Sequence, residues 1–131
     1  MKEILFRGRD IAHNWHYGVP LVFSDNFVCI TAPHTYNKAV EPDTVGQYTG
    51  LTDKNGAKIF EGDIVKIDDK YIRYIEYSGE CAAFVKFRYI DKLTSEFSGY
   101  LGKGYDNYKQ TLEVIGNIHD TPELLEGGDD Q

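Results

Sequence analysis

Between Val45 and Ile67 the chain reads VGQYTGLTDKNGAKIFEGDIVKI, and this stretch constrains the fold more than any other. Val45 to Leu51 enters as one strand, and Asp53-Lys54-Asn55-Gly56 reverses it. Asn and Gly are the residues that accept the positive φ angles of a tight reversal. Lys58-Ile59-Phe60 runs out of the turn, Gly62-Asp63 bends it again, and Ile64 to Ile67 starts the next strand. The stretch is a structural corner with no nucleophile or base poised for chemistry. It predicts a soluble, mainly β domain and says nothing of what that domain does.

Composition supports strands over helices. Seven Phe, ten Tyr and one Trp are many for 131 residues, and they come with thirteen Gly. The length suits one domain with a real core. The net charge of −7 is concentrated at the C-terminus. Asp120, Glu123, Glu126, Asp129 and Asp130 lie in the last twelve residues without a Lys or Arg, which leaves the body near neutral. A solvated tail explains this better than mimicry of nucleic acid, which needs denser charge along a folded face. Cys29 and Cys81 form no CxxC pair, and read as free thiols in a reducing compartment. The chain opens without an apolar targeting segment, so the expected location is the cytoplasm of a bacterial host, away from membranes.

Along the chain, residues 2–8 read as a first strand, and 9–16 as a polar turn. Leu21-Val22-Phe23 and Phe27 to Thr31 flank Ser24-Asp25-Asn26 as an N-terminal hairpin. The segment between Pro33 and Pro42 reads as loop, and any internal boundary is expected between about residues 32 and 44. Asp68-Asp69-Lys70 turns the chain into a strand from Tyr71 to Tyr77, and Ser78-Gly79-Glu80 into another from Cys81 to Ile90. In the latter, Ala83, Val85, Phe87 and Tyr89 share one face and Lys86 and Arg88 the other. Residues 91–110 read as a long glycine- and tyrosine-rich loop. Thr111 to Ile118 closes the set, and Thr121-Pro122-Glu123 starts a short helical turn with Thr121 as its cap. Short strands and tight turns point to a barrel or sandwich without choosing between them.

Thr44-Val45-Gly46-Gln47-Tyr48-Thr49-Gly50-Leu51, then Asp53-Lys54-Asn55-Gly56 and Ile59-Phe60-Glu61-Gly62-Asp63-Ile64-Val65, resembles the signature of the YopX family of small phage and prophage proteins. Leu5-Phe6-Arg7, Val114-Ile115-Gly116-Asn117-Ile118 and Pro122-Glu123-Leu124-Leu125 extend the resemblance, while 71–111 carries no matching motif. The family implies an SH3-like β-barrel portion and a viral or prophage origin. It implies no activity and hence no catalytic residues. On this reading 1–131 is a single domain: an N-terminal β segment and loop over 1–43, the barrel portion over 44–126, and a disordered tail over 127–131.

Four constellations invite a chemical reading, and each has a plainer one. Asp10, His13 and His16 are metal-ligand types, but no helix signal or further ligand completes a shell, so no metal is expected. Gly99-Tyr100-Leu101-Gly102-Lys103-Gly104 lacks the spacing and hydroxyl residue of a phosphate loop. Glu61 and Asp63 are paired carboxylates without a cleft, and Asp63 suits the backbone of the Gly62 turn. Arg73, Tyr77, Lys86, Arg88 and Tyr89 could present cations to phosphates and rings to bases, though Asp68, Asp69, Glu76, Glu80 and Asp91 would offset that field.

The expectation is therefore a non-enzymatic phage or prophage accessory protein, without cofactor, that works by protein contact. Its partners would be itself or an unidentified phage or host protein. The alternative is a nucleic-acid-binding barrel using Arg73, Tyr77, Lys86, Arg88 and Tyr89, and a hydrolase or metal-dependent enzyme comes last. The signature residues Gly46, Gln47, Tyr48, Thr49, Gly50, Leu51, Asn55, Gly56, Glu61, Gly62, Asp63, Gly116 and Asn117 are expected to serve the fold.

Overall fold

The structure, a computed structural model, describes residues 3–33, 37–80, 82–91, 94–101 and 111–126. These form two antiparallel sheets with one short helix, and no barrel closes among the described residues. The chain divides into two compact units, Met1–Gly50 and Leu51–Gln131.

In the first unit, β1 (Phe6–Arg9), β2 (Trp15–Ser24), β3 (Phe27–Thr31), β4 (Lys38–Val40) and the start of β5 (Gly46–Thr52) lie in the order β4-β3-β2-β1-β5. Val28, Ile30 and Val40 bury one face together with Phe6 and Val45. Two glycines let the backbones close over this core. A Cβ on Gly8 would come within 2.8 Å of Val40 Cγ2, and one on Gly18 would overlap the carbonyl oxygen of Thr31. The strand β2 is longer than expected, because Trp15 and His16 already pair with Arg9 and Gly8. The segment between Pro33 and Pro42, read as loop, contributes β4 against β3. A 3-10 turn over Pro42–Thr44 follows, in which the Thr44 hydroxyl donates to the Glu41 carbonyl at 2.6 Å and accepts from Arg9 N–H at 2.8 Å.

In the second unit, β5 continues through its hairpin into β6 (Lys58–Phe60). The strands β7 (Asp63–Ile67), β8 (Tyr71–Ser78), β9 (Ala83–Asp91), β10 (Thr94–Tyr100) and β11 (Leu112–Asn117) form a sheet in the order β10-β9-β8-β7-β11. Both of its faces are covered. Val65, Ile67, Ile75 and Leu112 pack with Ile59 and Leu101 on one side. Ile64 and Ile72 pack with Leu125 of helix α1 (Glu123–Glu126) on the other. Burial on both faces is why Ile64-Val65 is an unbroken apolar pair.

Four local features differ from expectation or refine it. In the Asp53–Gly56 reversal only Gly56 takes a positive φ, at 84°, and Asn55 does not. Asp68 and Asp69 take that conformation instead, at 54° and 59°, as short polar side chains tolerate. Most of 91–110 within the described residues is not loop: β10 pairs with β9 from Thr94 to Tyr100. The C-terminal helical turn is present, but the Thr121 hydroxyl bonds back to the N–H and carbonyl of Asn117 instead of capping the helix. Cys29 is a buried free thiol; Cys81, His34 and the expected tail at 127–131 lie outside the described residues.

Because the Gly18 clash is with backbone, no rotamer change relieves it. Gly18→Ala should cost about 2 kcal/mol or more in urea unfolding. Gly79, whose Cβ would meet nothing within 4 Å, should accept Ala within about 0.5 kcal/mol.

Candidate functional site

The signature residues hold backbone. Asp53 is buried in the β5–β6 turn, where its Oδ1 accepts the N–H groups of Asn55 at 2.8 Å and Ala57 at 2.9 Å. Its Oδ2 accepts Val114 N–H on β11 at 2.9 Å. Asp63, 1% exposed, accepts Phe60 N–H at 2.7 Å across the Gly62 bend, where Gly62 has φ 91°. Asn117 Oδ1 accepts the N–H groups of His119 at 3.0 Å and Asp120 at 2.9 Å, and turns the chain toward α1. Gly116 is needed beside it, since a Cβ there would overlap the Thr121 hydroxyl. Tyr48 and Thr49 are buried and Gln47 half-buried in β5, and Gly46 lies opposite Arg7.

The basic and aromatic surface assembles only in part. Lys86 is 1% exposed, opposite Ile75 and Gly99 in the interior of the second sheet. It is placed with the core and not at the surface, which corrects its expected place on a phosphate-binding surface. The alternation was read correctly, but the face that Lys86 occupies is covered. Tyr89 packs against the Ile64–Leu125 cluster. Arg73 donates from Nε to the Ser98 hydroxyl at 2.7 Å and lies 5.5 Å over the Tyr71 ring. Tyr77 and Arg88 are exposed.

Asp10 and His16 meet at 2.8 Å, while the other Asp10 oxygen accepts the N–H groups of Ala12 and Asn14. The His16 hydrogen bond and those backbone donors hold the Asp10 carboxyl below its usual range. No metal-ligating group of three or more forms among the described residues. Glu61 acts instead as a like charge near Glu76. Desolvation, and then the charge of Glu61, raise the Glu76 carboxyl above its ordinary value. Sequence spacing gave no sign of that pairing, which depends on β8 returning beside the Gly62 bend. The Gly62 N–H donates to the Ile75 carbonyl at 2.7 Å.

Sequence reasoning missed an exposed apolar stripe on β2. Tyr17, Val19, Leu21 and Phe23 recur at every second residue of β2 and so share one face. They are 48%, 48%, 38% and 59% exposed. Phe27, at the start of β3, joins them by stacking on Phe23 with ring centroids 4.9 Å apart. The opposite face of the hairpin carries the buried Val28 and Ile30. From Trp15 to Pro33 the only charged residue is Asp25, in the turn itself. That missing charge was the legible signal. At the base of the stripe Arg7 is buried, with its guanidinium 4.5 Å over the Trp15 ring.

A family model described as YopX protein matches residues 15–126, most of the chain. No curated protein matches the sequence.

Glu76 yields a pH test. A carboxyl whose folded pKa is raised opposes folding once it ionises. Its neutral form is fully compatible with the fold below the unfolded value near 4.5, and stability falls as pH rises through the higher folded value. Glu76→Gln should therefore raise the thermal midpoint at pH 7, and the gain should vanish below pH about 4. Asp53 has the opposite sign. Burial opposes its charge, but the N–H groups of Val114, Ala57 and Asn55 outweigh burial and lower its pKa. Wild type should lose stability as pH falls below about 4, and Asp53→Asn should flatten that loss in urea titrations.

Proposed function

The chain belongs to the YopX family, and from that premise we propose that it is a non-catalytic accessory protein of a phage or prophage that acts by binding protein. One observation carries this reading: an apolar stripe of two strands, Tyr17 to Phe23 with Phe27, stands exposed on the first unit. Contiguous apolar surface of this kind marks interaction sites on soluble proteins. Aromatic enrichment with depletion of charge is the composition of an interface centre. The carboxylates Asp53 and Asp63, by contrast, are spent on backbone N–H groups. The described residues include no helix long and apolar enough to cross a membrane, and the proposed setting is the bacterial cytoplasm. The SH3-like character of the second unit belongs to the same proposal, supported by its short strands and by the bulges in β10 and β11.

The nucleic-acid reading draws on Arg73, Tyr77 and Arg88 and loses Lys86 to the interior. The two readings differ in salt dependence. Contact through an apolar stripe survives 0.5 M salt, whereas phosphate contacts weaken steeply. Affinity capture on the immobilised chain, from bacterial lysate at 0.5 M salt, should retain a protein or further copies of the chain. Phe23→Lys should release it. Retention of nothing by the wild type overturns the proposal, and retention of nucleic acid at low salt alone favours the alternative.

A further inference from the structure

We infer that the apolar face of the β2–β3 hairpin docks against the same face of a second copy of this chain. This rests on the protein-contact reading above and names its partner.

The face is well defined. The register pairs Val19 with Thr31, Leu21 with Cys29, and Cys29 in turn with Ala39 of β4. Tyr17, Val19, Leu21, Phe23 and Phe27 therefore form one surface, with Thr31 and Ala39 beside them. Val22 belongs to the other face, opposite Val28. From the exposed fractions, the five large side chains present roughly 450 Å² of apolar surface. Two such faces remove up to about 900 Å², and Thr31 and Ala39 at the edge bring the total toward the ~1,000 Å² that a specific interface needs.

Charge selects the occupant. A two-fold contact brings identical charges toward one another, so a face that docks on itself must be free of them. Between Trp15 and Pro33 there is no Lys, Arg or Glu, and the one Asp sits at the turn. Two identical faces can close here without bringing like charges together, as a two-fold interface requires. At the base of β2 the charges are already matched within the copy: Arg9 lies 3.6 Å from Glu41, and Arg7 covers Trp15. A lipid surface fits less well, since an apolar face that rests on anionic membrane carries flanking Lys and Arg, and this hairpin has none.

The test is solution mass by light scattering behind size exclusion, from about 5 to 200 μM, on wild type, Phe23→Lys, Leu21→Lys and Val22→Lys. Circular dichroism and urea unfolding confirm that each variant is folded. Wild type and Val22→Lys should form a dimer or a larger even assembly. Phe23→Lys should be monomeric, or associate at least about 30-fold more weakly. Leu21→Lys, at a less exposed position, supplies a second reading of the face should Phe23→Lys not fold. A folded Phe23→Lys or Leu21→Lys protein that keeps the wild-type mass overturns the inference, as does a wild type monomeric throughout the range. If the monomeric wild type still captures a lysate protein that Phe23→Lys releases, the face serves a foreign partner and only the self-docking inference falls. If it captures nothing, the protein-contact reading falls with it.

Discussion

One buried carboxylate joins parts of the second unit that lie far apart in sequence. Asp53 accepts two N–H groups from its own turn and a third from Val114, sixty-one residues on. The first two set the path of the β5–β6 hairpin. The third fixes that hairpin beside β11, where Lys54 N–H also donates to the Leu112 carbonyl at 2.9 Å. Leu51, Ile59, Leu112 and Val114 reach the same core as a result. A carboxylate with three backbone donors is well satisfied even when buried, and its loss would strand those donors at a cost of about 1–3 kcal/mol each where no water replaces it. Asp63 repeats the device one corner later. Within the signature, Asp53, Asp63 and Asn117 thus do for turns what a ladder does for strands.

This division explains what could be read from the sequence. Turn residues act over two to four positions, so Gly56, Gly62, Asp63 and the strands between them could be placed from local chemistry. The β2–β3 hairpin was legible for the same reason. Local chemistry does not reveal a partner sixty-one residues away, and the link from Asp53 to Val114 had no sequence signal. Nor could it show that 94–100 extends: Thr94-Ser95-Glu96-Phe97-Ser98-Gly99-Tyr100 has weak alternation and becomes a strand because β9 offers it an edge. Pairing overrides propensity there, as it commonly does in sheets.

The misplacement of Lys86 and the omission of the β2 stripe have one cause. Alternation assigns side chains to faces, but whether a face is covered is a tertiary fact. In the second unit both faces of the sheet carry a core, so the alternate position of Lys86 is an interior one. In the β2–β3 hairpin one face holds Val28 and Ile30 of β3, while the other displays Tyr17, Val19, Leu21 and Phe23 of β2. A period-two apolar pattern looks the same in either case. What separates them is the company of charge. An exposed strand in a monomer usually carries Lys or Glu on its outer face to block unwanted association, and β2 carries none.

Such an omission is costly unless the face is used. Tyr, Val, Leu and Phe in water invite non-specific association, and polar substitution at these positions would lose little packing, since the core lies on the opposite side of the hairpin. The hairpin belongs to the first unit, whereas Asp53, Asp63 and Asn117 belong to the second and find the hydrogen-bond partners described above within it. On the proposed reading, stability and contact are carried by different residues. The carboxylate-pinned corners hold turns of the second unit, and the uncharged face of β2 is the one proposed to meet another surface.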